Sequence, residues 1–212
     1  MGEIVMNTIQ EKDTKTLLRE ALKMAQSYET YRNRVHELAL AGATTGPDQT
    51  ESLINYTQLN DRRMKRWDKT LRLDDKSVET VKELRTKVTW LVLTESWCGD
   101  ASPSLPVMNK LAVLGPYLDL KIALRDEHPE LMDRFLTNGA RSIPKLLALD
   151  SDTLEVIGEW GPRSSKATGM VHAYKAEHGK LTPEFKQDLQ VFYNKDKGAD
   201  ILNDLLELLT LK

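Results

Sequence analysis

Between residues 14 and 41 apolar side chains recur at intervals of three and four. Leu17, Leu18, Ala21, Leu22 and Ala25 lead into Tyr28, Tyr31, Val35 and Leu38, which predicts one continuous amphipathic helix. Gly42 and the pair Gly46-Pro47 end it. A second helical stretch follows through Leu53, Ile54 and Leu59, and a third through Met64, Trp67 and Leu71 to Leu73. One more helix is expected over residues 77–87, on Val78, Val81 and Leu84. The grammar then changes, because residues 88–94 form a continuous apolar run of strand length. Strands and helices alternate from there: helix 101–114, strand 118–124, helix 129–136, strand 145–149 and strand 154–160. Gly139 is the expected left-handed stop for the helix before it, and Asp150-Ser151-Asp152 offers a hairpin turn between the last two strands. From Arg163 onward the pattern is helical again. Thr182 and Pro183 stand as cap and first helical residue, and Asp196-Lys197-Gly198 precedes a last helix with Ile201, Leu202, Leu205, Leu206 and Leu209 on one face.

This order predicts an α/β core with a mixed sheet flanked by helices and helical segments on both sides of it. We expect residues 1–76 to be an α-helical extension packed on the core, and residues 77–212 to hold the core with its helical C-terminal segment. A chain of 212 residues that is 40% hydrophobic has ample material for such a core.

The charge of −2 provides no field to collect nucleic acid or an anionic membrane, so neither is an expected partner. The basic run Arg62, Arg63, Lys65, Arg66 and Lys69 is interrupted by Asp61 and Asp68 and reads as a solvated helix face. No apolar run approaches the length of a membrane span, and Met1 to Asn7 has no signal-peptide pattern. Met6 also stands where a myristoylation motif wants Ser or Thr. With a single cysteine no disulfide can form within the chain, which fits a reducing compartment, and a cytoplasmic location is expected.

That cysteine, Cys98, sits in Trp97-Cys98-Gly99-Asp100-Ala101 at the exit of the first strand. A Cys-x-x-Cys there would be a dithiol redox site, but Ala101 occupies the second position. Near a helix N-terminus the Cys98 thiol meets free backbone N–H groups that favour thiolate, while the Asp100 carboxylate opposes them. The balance predicts a partly exposed thiol, modestly more acidic than a free one. Gly99 leaves room for another molecule to approach the sulfur, and Trp97 offers an apolar flank.

Three landmarks in order, Trp97-Cys98-Gly99 after the first strand, Pro106 inside the helix that follows, and Ser142-Ile143-Pro144 before strand 145–149, resemble the thioredoxin superfamily. The resemblance spans roughly residues 82–161, and Trp-Cys-Gly-Asp-Ala looks like a variant active site of bacterial thioredoxin family proteins. It implies a thioredoxin-like fold, with Ile143-Pro144 as a cis-proline loop facing Cys98 and presenting backbone to an extended peptide. It also implies thiol–disulfide chemistry at Cys98, with Trp97, Gly99, Ile143 and Pro144 against the substrate.

Two departures shape the expected activity. Ala101 cannot resolve a mixed disulfide, and Val92 stands where thioredoxins bury the acid that serves the resolving cysteine. The expectation is therefore a monothiol oxidoreductase that takes a disulfide-bearing or oxidised protein or small thiol, using glutathione or another small thiol as co-substrate and no further cofactor. Two alternatives are a non-catalytic binding module of the same fold and a peroxide-sensing thiol protein. Glu95 reads as a solvated loop residue, Arg141 as a surface cation, and His36, His128, His172 and His178 as satisfied surface histidines without metal-ligand spacing.

Overall fold

The computed structural model describes residues 12–210, so Met1 to Asn7, on which the targeting expectations rest, lies outside the described residues. Strand β1 (Val88–Thr94) is buried along almost its whole length and occupies the middle of a four-stranded sheet. It pairs in parallel with β2 (Leu118–Leu124) and antiparallel with β3 (Lys145–Asp150), and β3 pairs antiparallel with β4 (Val156–Trp160), giving the order β2-β1-β3-β4. Strands covered on both faces need continuous apolar runs, and Trp90, Leu91, Val92, Leu93, Leu146, Leu147 and Leu149 supply them. The parallel β1–β2 pair requires a crossover, made by α5 (Ala101–Leu114), which carries Pro106 inside it. Two shorter pieces follow β2, a 3₁₀ turn over Arg125–Glu127 and α6 (Pro129–Arg134).

Among the described residues four helices precede the sheet: α1 (Thr14–Met24), α2 (Tyr28–Ala41), α3 (Glu51–Thr70) and α4 (Asp75–Lys82). The helix expected over 14–41 is broken at Ala25–Ser27. There Gln26 exchanges two backbone hydrogen bonds with Ile122 on the outer edge of β2, at 2.8 and 2.9 Å. Pairing that edge outweighs helix continuity, and Ser27 restarts the helix by accepting the amide of Thr30. The second and third stretches are one helix, α3, since neither Gly nor Pro separates them.

Gly139 does not stop α6, which ends at Arg134. With Asn138, also at positive φ, it forms the two-residue tip of a small hairpin closed by Thr137 and Ala140. Leu154 adopts φ 59° within the β3–β4 turn, so β4 begins two residues later than expected.

Helices α7 (Ser165–His178), α8 (Pro183–Asp196) and α9 (Ala199–Leu209) follow. The apolar face of α9 packs on α4, α5, α7 and β4. Its acidic residues satisfy the N-terminus of α7: Asp204 accepts from the Ser165 amide and the Trp160 indole, and Asp200 from the Lys166 amide. No helix among the described residues is long and apolar enough to cross a membrane.

Candidate functional site

The end of β1 delivers Glu95 to Asp100 as a tight connection into α5. Its backbone is held by residues distant in sequence. The Ser96 hydroxyl meets Thr44 and Thr57 and accepts from the Thr45 amide, while the Ser96 amide donates to the Thr45 hydroxyl and Asn60 Nδ2 donates to the Ser96 carbonyl at 2.9 Å. These groups are buried, so every one of their polar atoms needs a partner, and they find one in each other. From the other side Gln190 Nε2 on α8 donates to the Gly99 carbonyl at 3.2 Å. The helical segments before and after the sheet therefore clamp the cysteine loop from opposite directions.

Cys98 lies in the connection just ahead of α5, two residues before its N-cap Asp100, and its sulfur is 3.3 Å from the carbonyl oxygen of Ile143, to which the thiol donates. The Ile143–Pro144 bond is cis, and Ile143 is buried beside the sulfur. The structure thus brings Cys98, Ile143 and Pro144 together at one place. Trp97 flanks them, half-buried, with the Arg125 guanidinium 4.8 Å from its ring. A methyl added at Gly99 would come 3.8 Å from Arg63 and 4.0 Å from Gln190, ordinary contact distances, so Gly99 faces both side chains without being required by the space there. Ala101 is buried in the first turn of the helix.

The expectation of a partly exposed, acidified thiol needs correction. Cys98 is only 6% exposed, and its thiol is pushed up from the ordinary 9.0 to about 12. Burial is the main cause and the Asp100 carboxylate adds to it; the backbone amides of Ala101 and Asp100 and the charge of Arg163 pull down, but not enough. The helix N-terminus acts in the expected direction and is outweighed by loss of water.

Asp100 holds the N-cap position of α5 without a capping bond from its side chain. Its backbone opens α5, yet its carboxylate turns away to Arg163, 2.7 Å off, and accepts from the Tyr193 hydroxyl at 3.3 Å. Burial raises its carboxyl above the usual range, and Arg163 and Tyr193 draw it back part of the way. Arg163 reaches this position because the chain turns sharply ahead of it. Gly161, at φ 116°, lies so close under the cis-proline loop that a Cβ would sit 2.1 Å from the Pro144 carbonyl oxygen.

Glu95 is fully buried rather than solvated. Its carboxylate accepts the Asp126 amide at 2.9 Å, and burial raises its pKa. His128 is likewise buried, under α1, while Arg141 is a surface cation bound bidentately to Asp133 at 2.7 Å. Among the described residues no three His, Cys, Asp or Glu side chains gather as metal ligands.

Above the sulfur opens a cleft of about 570 Å³. Cys98, Gly99 and Ile143 form its floor, α3 supplies Tyr56 and Arg63, and α8 supplies Lys186 and Gln190. This is a volume suited to a small molecule. Tyr56, Arg63, Arg163, Lys186 and Gln190, which frame it, are not among the site residues the sequence predicts, nor is Tyr193, which stands behind the lining and bonds Asp100. A signal existed: 56, 60 and 63 on α3, and 186, 190 and 193 on α8, are spaced to share one helical face each. Nothing in a single sequence says that those two faces meet over Cys98.

A small mixed sheet with a cysteine just ahead of its crossover helix, opposite a cis-proline, defines the class of thioredoxin folds. The thioredoxin family model matches residues 46–176, more than half of the chain, and the chain belongs to that family. Among solved structures, a protein of unknown function, PA1234 from Pseudomonas aeruginosa, is similar with a TM-score of 0.61 and 15% identity, over 91% of this chain and 96% of that one. An HIV epitope scaffold is similar to the same extent, with a TM-score of 0.61, 14% identity and the same coverages. At these identities the likeness carries the fold alone. No curated protein matches this chain.

Proposed function

We propose that this thioredoxin-family protein is a monothiol exchange protein in which Trp97-Cys98-Gly99-Asp100-Ala101 is a one-cysteine form of the family's site. One observation carries the reading: the Cys98 sulfur lies at the floor of a cleft, against Ile143 and cis-Pro144, while buried Ala101 stands in place of a resolving thiol. Cys98 gives up its proton and attacks one sulfur of a disulfide. The Cys98–S bond forms, the substrate S–S bond breaks, and the departing half leaves as a protonated thiol; Cys98 is oxidised and that half is reduced. A second thiol from solution, glutathione or another small thiol, then attacks the bound half and returns Cys98 to the thiol.

The raised Cys98 pKa makes the resting protein a neutral thiol, so exchange is slow at neutral pH and accelerates with alkalinity. It also weighs against peroxide sensing, which needs a standing thiolate. The same neutrality favours a second reading, a binding module that retains the fold and uses the cleft without chemistry.

The test is incubation with a glutathione-capped peptide at pH 8.5, followed by intact mass. A mixed disulfide on Cys98 that accumulates and is discharged by added glutathione is the expected result. No adduct on Cys98, with Cys98→Ser binding small ligands as the wild type does, would replace exchange with the binding module.

A further inference from the structure

The cleft over Cys98 is cationic, and part of the charge that makes it so is not ion-paired within the fold. Among the described residues its lining holds three cations, Arg63, Arg163 and Lys186, and one acid, Asp100. The acid is spent on Arg163 at 2.7 Å. Arg63 is half-buried, and its hydrogen bond within the protein is to the neutral Asn60 Oδ1 at 3.2 Å. It is the member of the α3 basic run that turns inward, for Arg62, Lys65, Arg66 and Lys69 are all exposed. Arg63 feels the Asp100 carboxylate but forms no ion pair with it, burial is the larger influence on its guanidinium, and its planar fork suits a carboxylate. Lys186 stands on the opposite wall with its ammonium 5.9 Å from the centre of the Tyr56 ring.

The walls also restrict what can enter. Ile143, whose backbone this fold can offer to an extended peptide, is buried, and its carbonyl already accepts from Cys98. Helices α3 and α8 stand on either side of the floor and leave room for a small molecule.

Resting on the exchange reading above, we propose that the substrate is a low-molecular-weight disulfide bearing carboxylates, with Arg63 as the residue that selects the negative charge and Lys186 supporting it. A carboxylate held by Arg63 lies next to Gly99, whose hypothetical Cβ is 3.8 Å from Nη1, and so beside the Cys98 sulfur. Attack on the held disulfide follows the balanced exchange already given, with the carboxylate half retained on Cys98 or released as its thiol.

The test uses three small symmetric disulfides that differ in charge: 3,3′-dithiodipropionate (anionic), bis(2-hydroxyethyl) disulfide (neutral) and cystamine (cationic). Rates of Cys98 adduct formation at low salt are divided by those of a short cysteine peptide, which removes intrinsic reactivity. The expected order is anionic, neutral, cationic, with about tenfold or more between the extremes. Salt should narrow the gap. Arg63→Gln should abolish it, whereas Arg62→Gln, one residue away on the exposed face, should not; thermal melting confirms that both variants fold. Equal normalised rates in the wild type, or a gap that survives Arg63→Gln, overturns the proposal and leaves exchange at Cys98 intact. Absence of any adduct overturns exchange instead. The charge preference is then decided by titrating the unreactive thioether 3,3′-thiodipropionate: saturable binding lost in Arg63→Gln upholds it, and no binding overturns it.

Discussion

Alkylation of Cys98 by iodoacetamide separates two effects that burial combines, loss of access and loss of ionisation. At pH 7.5 a thiol titrating at about 12 presents about one thiolate in 30,000 molecules, against about one in 30 at the ordinary 9.0. Ionisation alone should therefore slow alkylation about a thousandfold relative to a free cysteine. Restricted access lowers the rate at every pH by the same factor, whereas ionisation raises it tenfold for each pH unit up to about 11. The slope is thus diagnostic where the absolute rate is not. Replacing Asp100 by Asn removes the second-largest cause of the high pKa and frees the positive charge of Arg163, which acts in the same direction. A neighbouring unit charge is worth up to about 4 kcal/mol at an effective dielectric constant of about 20 and less with distance, so alkylation of the variant should rise by about one to two orders of magnitude at pH 7.5. The rate is measured by mass spectrometry of quenched samples from pH 6.5 to 10.5, with melting curves to confirm the fold. A rate that flattens below pH 9, or Asp100→Asn alkylating no faster than wild type, would refute the electrostatic account of this thiol.

Gly161→Ala places a Cβ 2.1 Å from the Pro144 carbonyl oxygen at a backbone angle that disfavours side chains, and should destabilise by at least about 2 kcal/mol in urea denaturation. Asn60→Ala removes the buried donor to the Ser96 carbonyl and should cost about 1–3 kcal/mol, with a changed Trp97 environment read by fluorescence against a Trp97→Phe control. Cys98, Tyr31 and Tyr193 all titrate higher folded than unfolded, so their contribution is complete below pH about 9 and is lost as pH rises through about 12 and beyond; the urea midpoint should fall steadily from pH 8 to 11, less steeply in Cys98→Ala. Glu95 follows the same sign at lower pH: its raised carboxyl prefers the neutral form, so Glu95→Gln should stabilise at pH 8 and change little at pH 4.

Long periodic segments and the core strands were legible from the pattern because their side chains answer to one period throughout. The exceptions are places where tertiary partners decide. Nothing local in Ala25-Gln26-Ser27 announces that Gln26 will pair with the open edge of β2 and break a helix. Glu95 reads as a loop residue because an isolated carboxylate in a strand-to-helix connection is ordinarily wet; its burial depends on Thr45 and the Asp126 amide arriving from elsewhere. The acidity of Cys98 departs from the sequence expectation for the same reason. The helix N-terminus and Asp100 are local and can be weighed from the sequence, but the dominant cause is desolvation, and that is set by segments remote along the chain: α3 (Glu51–Thr70) well before Cys98, and α8 (Pro183–Asp196), which closes on Gly99 through Gln190.

The helical segments around the sheet therefore bear on chemistry and not only on stability. In a fold whose cysteine lies at a free helix N-terminus, an extended peptide can reach the sulfur and the thiolate is accessible to it. Here α3 and α8 stand over that position, and two consequences follow from the one arrangement: water is removed from Cys98, which disfavours its thiolate, and the remaining opening is lined by Arg63 and Lys186. A bound carboxylate would neutralise Arg63 and remove some of the positive field near the sulfur, so electrostatics alone would make a bound anion a poor activator of the thiol. Rate enhancement must then come from proximity, by holding the disulfide against Cys98, and not from acidifying it. This makes a distinct forecast: saturating 3,3′-thiodipropionate should slow alkylation of wild-type Cys98 by iodoacetamide by blocking the cleft, keep the bend of the pH–rate profile above the assayed range, and have no effect on Arg63→Gln. A downward shift of that bend on binding would show that the anion acidifies Cys98, and the positioning account would fail.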